Sequence, residues 1–199
     1  MVEERMVEAA SVRSLIDGLK DVMGAKATSI VLNYAELGQY VDNPPPLDEK
    51  AVVPASHGHA INVATIQVFG VKGSRALLIA AGEAVTRRMF EGMPALMSGM
   101  MRMLPSGVKK KSAFRLLVSE SEKHGWVTPQ VRHEKHRIVI SFPGCDVCEG
   151  IETDRPVCAF TEGLLSALAE QATRKPHRAK EIKCKALGHE SCVYEVLEL

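Results

Sequence analysis

All five cysteines of this 199-residue chain lie at or beyond position 145: Cys145, Cys148, Cys158, Cys184 and Cys192. A thiol set this clustered has to be paired, buried or metal-bound, so it dictates which distant segments the fold must bring together. Five is an odd number, and the start, Met1 to Arg5, lacks the basic-then-apolar order of a secretory leader. The expected location is the cytoplasm, where clustered thiols read as metal ligands before disulfides. Cys145-Asp146-Val147-Cys148 follows Pro143-Gly144 on a loop, and a CxxC turn lets two thiolates reach one ion. Cys158 opens a helix behind Arg155-Pro156-Val157. Cys184 and Cys192 sit on the two arms of a terminal hairpin. Loops and hairpins that present thiolates in this way build many tetrahedral zinc sites. Buried thiols without metal, a redox CxxC and an iron–sulfur cluster are the alternatives that the spacing leaves open.

The rest of the chain reads as helices first and sheet later. Val2, Met6, Ala9, Val12, Ile16, Leu19 and Met23 recur in helical steps and end at Gly24, a natural stop. Thr28 is placed to cap a second helix through Tyr34. Pro44-Pro45-Pro46 then opens an extended stretch to about Ser56. Val22 to Thr28 resembles Val68 to Ser74 at a constant offset, which predicts a repeated unit of helix, glycine stop, turn and capped helix. The expected organisation is a helical hairpin over 1–43, a Pro-rich linker over 44–56 and a main domain over 57–199. A detached hairpin cannot bury its own apolar face, so the pattern predicts a homodimer through it. Six methionines between Met89 and Met103 mark a helical stripe that is either core or an adaptable pocket wall. The period then drops to two. Residues 114–118, 127–131 and 137–142 read as strands, 157–172 as a helix, and 182–197 as a hairpin. The fold class is α+β: N-terminal helical hairpins, then an antiparallel sheet with a packed helix and a terminal metal-bound hairpin.

Arg155-Pro156-Val157-Cys158, the glycine-containing helix Phe160 to Leu165, and Glu181-Ile182-Lys183-Cys184 with Gly188 and Cys192 resemble the 4-vinyl-reductase domain family. The likeness spans roughly residues 60 to 199, and its specific motifs lie in the last 45 or so. That family includes hydrocarbon-binding proteins, accessory proteins of bacteriochlorophyll synthesis and the aromatic-sensing domains of phenol-responsive activators. Its members are commonly dimeric and related in fold to vesicle-tethering subunits. The resemblance implies a structural zinc on Cys158, Glu181, Cys184 and Cys192. Residues three apart in a regular strand face opposite ways, so Glu181 and Cys184 share an ion only across a bulge. Cys145 and Cys148, absent from the phenol sensors, are additional or alternative ligands, since a thiolate can displace a carboxylate on a soft ion.

Composition narrows the function classes. Basic and acidic residues balance at 25 and 24, which gives no general pull toward nucleic acid. The Lys109-Lys110-Lys111 run reads as a solvated face, and no membrane span is expected. His57 and His59 read as surface residues. No phosphate-cradling loop, nucleophile elbow or dinucleotide fingerprint is present. The sequence therefore points to a domain that binds or senses a small apolar or aromatic molecule, with Met97, Met101 and Trp126 as candidate contacts. The rival readings are an accessory protein or enzyme of tetrapyrrole vinyl reduction, and a dimeric assembly scaffold.

Overall fold

In the computed structural model, which describes residues 4–48, 50–91, 105–123, 126–148, 151 and 153–199, alternation along the last strands builds a four-stranded antiparallel sheet. Its order is β3 (Gln130–His133), β4 (Arg137–Phe142), β6 (Cys192–Glu198), β5 (His177–Lys183). Every second residue of β6 is buried, namely Cys192, Tyr194 and Val196, and β5 does the same with His177, Ala179 and Glu181. That period puts one face of the hairpin in the core. Tyr194 stands edge-on to Phe142 at 5.7 Å, one of the favoured aromatic geometries. Helix α5 (Ala159–Thr173) covers this face and places Leu165 and Ala169 in the same core.

A second core joins the helices. Helix α1 (Ala9–Tyr34) lays Val12, Ile16, Leu19, Val31 and Leu32 against Ile61, Leu78 and Ala81 of α3 (Ala55–Glu91). Each fully buried large aliphatic contributes about 1.5–3 kcal/mol. The face expected to seek a second copy is thus taken up within the chain. Between α1 and α3 runs a short helix α2 (Gln39–Asp42), and β1 (Met6–Glu8) pairs antiparallel with β2 (Val52–Pro54). The first eight residues are therefore not all helical, and the Pro-rich stretch ends pinned in a strand. Helix α3 packs on α5 at backbone distance. A Cβ on Gly163 would lie 2.0 Å from the Ile79 carbonyl oxygen, and one on Gly82 would lie 2.2 Å from that of Phe160. By length and composition, α3 is also apolar enough to cross a membrane, the one such helix among the described residues.

The sequence repeat is present in three dimensions, but as a kink instead of a stop. Gly24 (φ 81°, ψ 165°) and Gly70 (φ 68°, ψ 163°) adopt nearly the same conformation within long helices that continue past them. Thr28 does not cap through its side chain; its hydroxyl donates back to the Gly24 carbonyl at 2.9 Å. The segment expected as a strand at 114–118 lies inside α4 (Ser106–Lys123). Ala113, Phe114 and Ser121 are buried there at helical spacing while Leu116 is exposed, so a short β-rich run was part of a longer amphipathic helix. The expected 127–131 strand begins only at Gln130.

Candidate metal centre

Three separate segments deliver the thiols to one place. A 3₁₀ turn at Asp146–Cys148 follows β4 and holds the CxxC. Cys158 precedes the first turn of α5. Cys184 follows β5, and Cys192 begins β6. All are buried except Cys145, which is partly exposed. The Cys145 and Cys158 sulfurs are 3.4 Å apart, Cys148 and Cys192 3.5 Å, and Cys158 and Cys192 3.9 Å. A tetrahedral ion with metal–sulfur bonds of about 2.3 Å has sulfur–sulfur edges of roughly 3.8 Å. The cysteines of a four-iron cluster each bind a different iron and stand much further apart, so the spacing fits tetrahedral ligation by shared ions. Cys145, Cys148, Cys158 and Cys192 place their sulfurs within 4.8 Å of one another, and so do the donor atoms of Cys158, Glu181, Cys184 and Cys192.

Glu181 reaches the cluster because the β5–β6 register shifts between Glu181 and Lys183. This is the bulge that a shared ion with Cys184 requires. Its Oε2 accepts from the Cys158 N–H at 3.1 Å, while Oε1 is buried with no hydrogen-bond partner among the described residues. Burial, and then the neighbouring Cys184 thiolate, push the carboxyl up to about 9. The thiols titrate as a coupled group. Hydrogen bonds, the largest from Cys145, pull Cys148 down, and those involving the same neighbours push Cys158 up. One ionised sulfur is thus stabilised by S–H groups that then resist ionising, a charge arrangement that a cation would resolve. The Lys185 N–H also donates to the Cys192 sulfur at 3.4 Å.

The residues around the thiols were less legible. Glu162, 2% exposed, accepts from Arg75 of α3 at 2.5 Å and from the Glu181 N–H at 2.7 Å. It ties α3 to β5 through α5, and an acid on the inner face of an otherwise apolar helix was the available signal. His59, read as a surface residue, has Nδ1 3.1 Å from the Val147 carbonyl inside the CxxC, and Asn62 donates to the same oxygen at 3.4 Å. His57 pairs with the Tyr40 hydroxyl at 2.8 Å. Met97 and Met101 lie outside the described residues. Trp126 is half-buried after α4 and is not among the residues lining the crevice beside α3. That crevice, of about 10 Å³, lies between Ile66, Val71, Arg75 and Leu78 on α3 and Pro156 and Val157, next to Cys158.

An α+β domain with a core built around sulfur is thus the class of protein that fold and site define. Residues 138–198, which hold all five cysteines, match the family model of the 4-vinyl-reductase (4VR) domain, in agreement with the resemblance carried by the cysteine motifs. A 59-residue stretch, 30% of this chain, is 34% identical to the uncharacterized protein MJ0745 of Methanocaldococcus jannaschii and spans 33% of that protein. The chain therefore matches about a third of that relative's length. The fold is similar to the phenol-responsive sensory domain of the transcription activator PoxR, solved with phenol (TM-score 0.52, 16% identity, 74% of this chain and 77% of that one). It is also similar to an H-NOX protein from S. oneidensis (TM-score 0.59, 14% identity, 94% and 98%). A trafficking protein particle complex subunit 3 from Naegleria fowleri, covalently bound to palmitic acid, has TM-score 0.50 at 14% identity, over 72% and 96%. At these identities the likeness is one of fold.

Proposed function

We propose that this chain is a small-molecule-sensing domain that takes an uncharged, apolar or aromatic ligand and is held together by structural zinc. The observation that carries the reading is the match of the 4-vinyl-reductase domain model to the very strands and helix that enclose the thiols, in a fold it shares with a phenol-responsive domain. Zinc fits the donor set because thiolates suit a soft, redox-inert dication, and protein donors that fill every position leave none for a catalytic water. Cys158, Cys192 and Cys184, with Glu181 and the Cys145–Cys148 pair, would hold it; zinc there supplies folding free energy and no chemistry. The ligand would enter beside α3, where the crevice now has room for about one water, so binding requires the helix to move at Gly70. Homodimerisation belongs to the same proposal, with the exposed Ile30 and Tyr34 of α1 as its apolar surface.

A ligand that binds only the folded state raises the melting temperature by mass action. A thermal-shift series with phenol, larger aromatics and isoprenoids is expected to show saturable stabilisation, confirmed by calorimetry at one ligand per chain. No stabilisation by any apolar compound, in protein shown to contain zinc, overturns the sensing reading and leaves a scaffold.

A further inference from the structure

The donors around the sulfur core number six, and they fall into two groups of four. The groups share Cys158 and Cys192 and differ in the remaining pair: Cys145 with Cys148 in one, Glu181 with Cys184 in the other. Two tetrahedra that share an edge need this inventory, with two bridging donors and two terminal donors for each ion. We propose that the centre is binuclear. One ion sits on Cys145 and Cys148, a second on Cys184 and Glu181, and the thiolates of Cys158 and Cys192 bridge them. The inference rests on the zinc reading above and goes beyond it in ion count, ligand roles and geometry.

Three observations carry it. The sulfur–sulfur contacts of 3.4, 3.5 and 3.9 Å are those of tetrahedral edges, with the 3.9 Å contact as the shared one. Bonds of about 2.3 Å across such an edge place the two ions on the order of 3 Å apart. Second, neither group alone accounts for the other's leftovers. A single ion on the four thiolates leaves Cys184, fully buried, and the partnerless Oε1 of Glu181 sealed in the core. A buried carboxyl oxygen with no donor or cation is costly. A single ion on the Glu181 group leaves Cys145 and Cys148 pressed against Cys158 and Cys192 with no cation between them. Third, the bridging pair occupies the middle of the site. Cys158 starts α5, Cys192 starts β6, and the Lys185 N–H donates to the Cys192 sulfur, as suits an electron-rich bridging thiolate. Charge is consistent as well. Five thiolates and one carboxylate against two dications leave the same net charge of about minus two as one dication on four thiolates.

The test is zinc titration of the reduced full-length chain, read by native mass spectrometry and elemental analysis. Two zinc ions per chain are expected, with a metal–metal scattering path of roughly 3 Å in zinc-edge X-ray absorption. Glu181→Gln and Cys184→Ala are each expected to lower the count from two to one, and so is the double change Cys145→Ser, Cys148→Ser. One ion at saturation, with four sulfur ligands and indifferent to Cys184→Ala, overturns the proposal in favour of a mononuclear thiolate site. One ion with three sulfurs and one oxygen, indifferent to the CxxC change, overturns it in favour of the Glu181 group. No metal at all overturns the zinc reading with it. Cobalt titration of the unmutated protein keeps the question open to decision if variants misfold. Bridged ions couple, so the paramagnetic signal of the first equivalent falls as the second binds; a signal that doubles contradicts the bridge.

Discussion

The two cores of this molecule are closed by different physics. Between α1 and α3 the buried side chains are apolar, and the helices meet through Leu19, Ile61 and Leu78. Under the sheet, the core contains five thiols and the buried carboxylates Glu162 and Glu181. The first can form from the chain alone. The second gathers ionisable groups that repel or desolvate one another unless a cation sits among them. The comparison teaches that one half of the protein has intrinsic stability while the other borrows it from a bound ion.

Chelation should break the comparison most visibly. Structural zinc binding is worth on the order of 10 kcal/mol in small domains. Metal removal is therefore expected to abolish hydrogen-exchange protection of β4, β5 and β6 while α1 and the first half of α3 keep theirs. Equal loss in both halves would show a single cooperative unit. The pH dependence of the metal-free protein sharpens the point. Glu181 is raised from 4.5 to about 9, so its contribution is complete below pH 4.5 and lost as pH rises through 9. The metal-free melting temperature should fall across that window. The loaded protein should instead gain stability with pH, because its thiols must ionise to bind.

Gly163→Ala probes the joint between the halves. Its Cβ would sit 2.0 Å from the Ile79 carbonyl oxygen, so α3 and α5 must separate. A loss of about 3 kcal/mol is expected in denaturant unfolding. Glu162→Ala is a smaller change. It leaves the buried Glu181 N–H without its acceptor and Arg75 without its partner, at a cost of about 2 kcal/mol. The smallest effect should come from Gly70→Ala. Nothing lies within 4 Å of the added carbon, so only the φ of 68° opposes it, and the loss should be about 1 kcal/mol. Gly24→Ala should match it within error if the two kinks are equivalent.

What the sequence revealed follows the same division. The terminal hairpin, α5 and β4 were legible because strand alternation and a helical run with its preceding cysteine are local patterns. The convergence of Cys145, Cys148, Cys158 and Cys192 was expected only as a possibility, since spacing says which thiols can meet and not which sulfurs touch. α4 was missed because Phe114 to Val118 satisfies a strand rule over five residues and a helix rule over eighteen. The Gly24 and Gly70 kinks were read as stops, for a positive-φ glycine ends a helix or bends it depending on what packs beyond. The β1–β2 pairing joins positions some 46 residues apart and leaves no local trace.

One helix grips the sulfur core from both sides of its bend. Before Gly70, His59 and Asn62 hold the carbonyl between Cys145 and Cys148; after it, Arg75 reaches Glu162 and through it the strand that bears Glu181. Straightening or sharpening that bend moves one pair of donors relative to the other. A small molecule lodged beside Gly70 and an ion lodged among the sulfurs therefore draw on a single conformational equilibrium. Thermodynamic reciprocity then fixes the outcome: whatever factor the guest imposes on the affinity for metal, the metal imposes on the affinity for the guest.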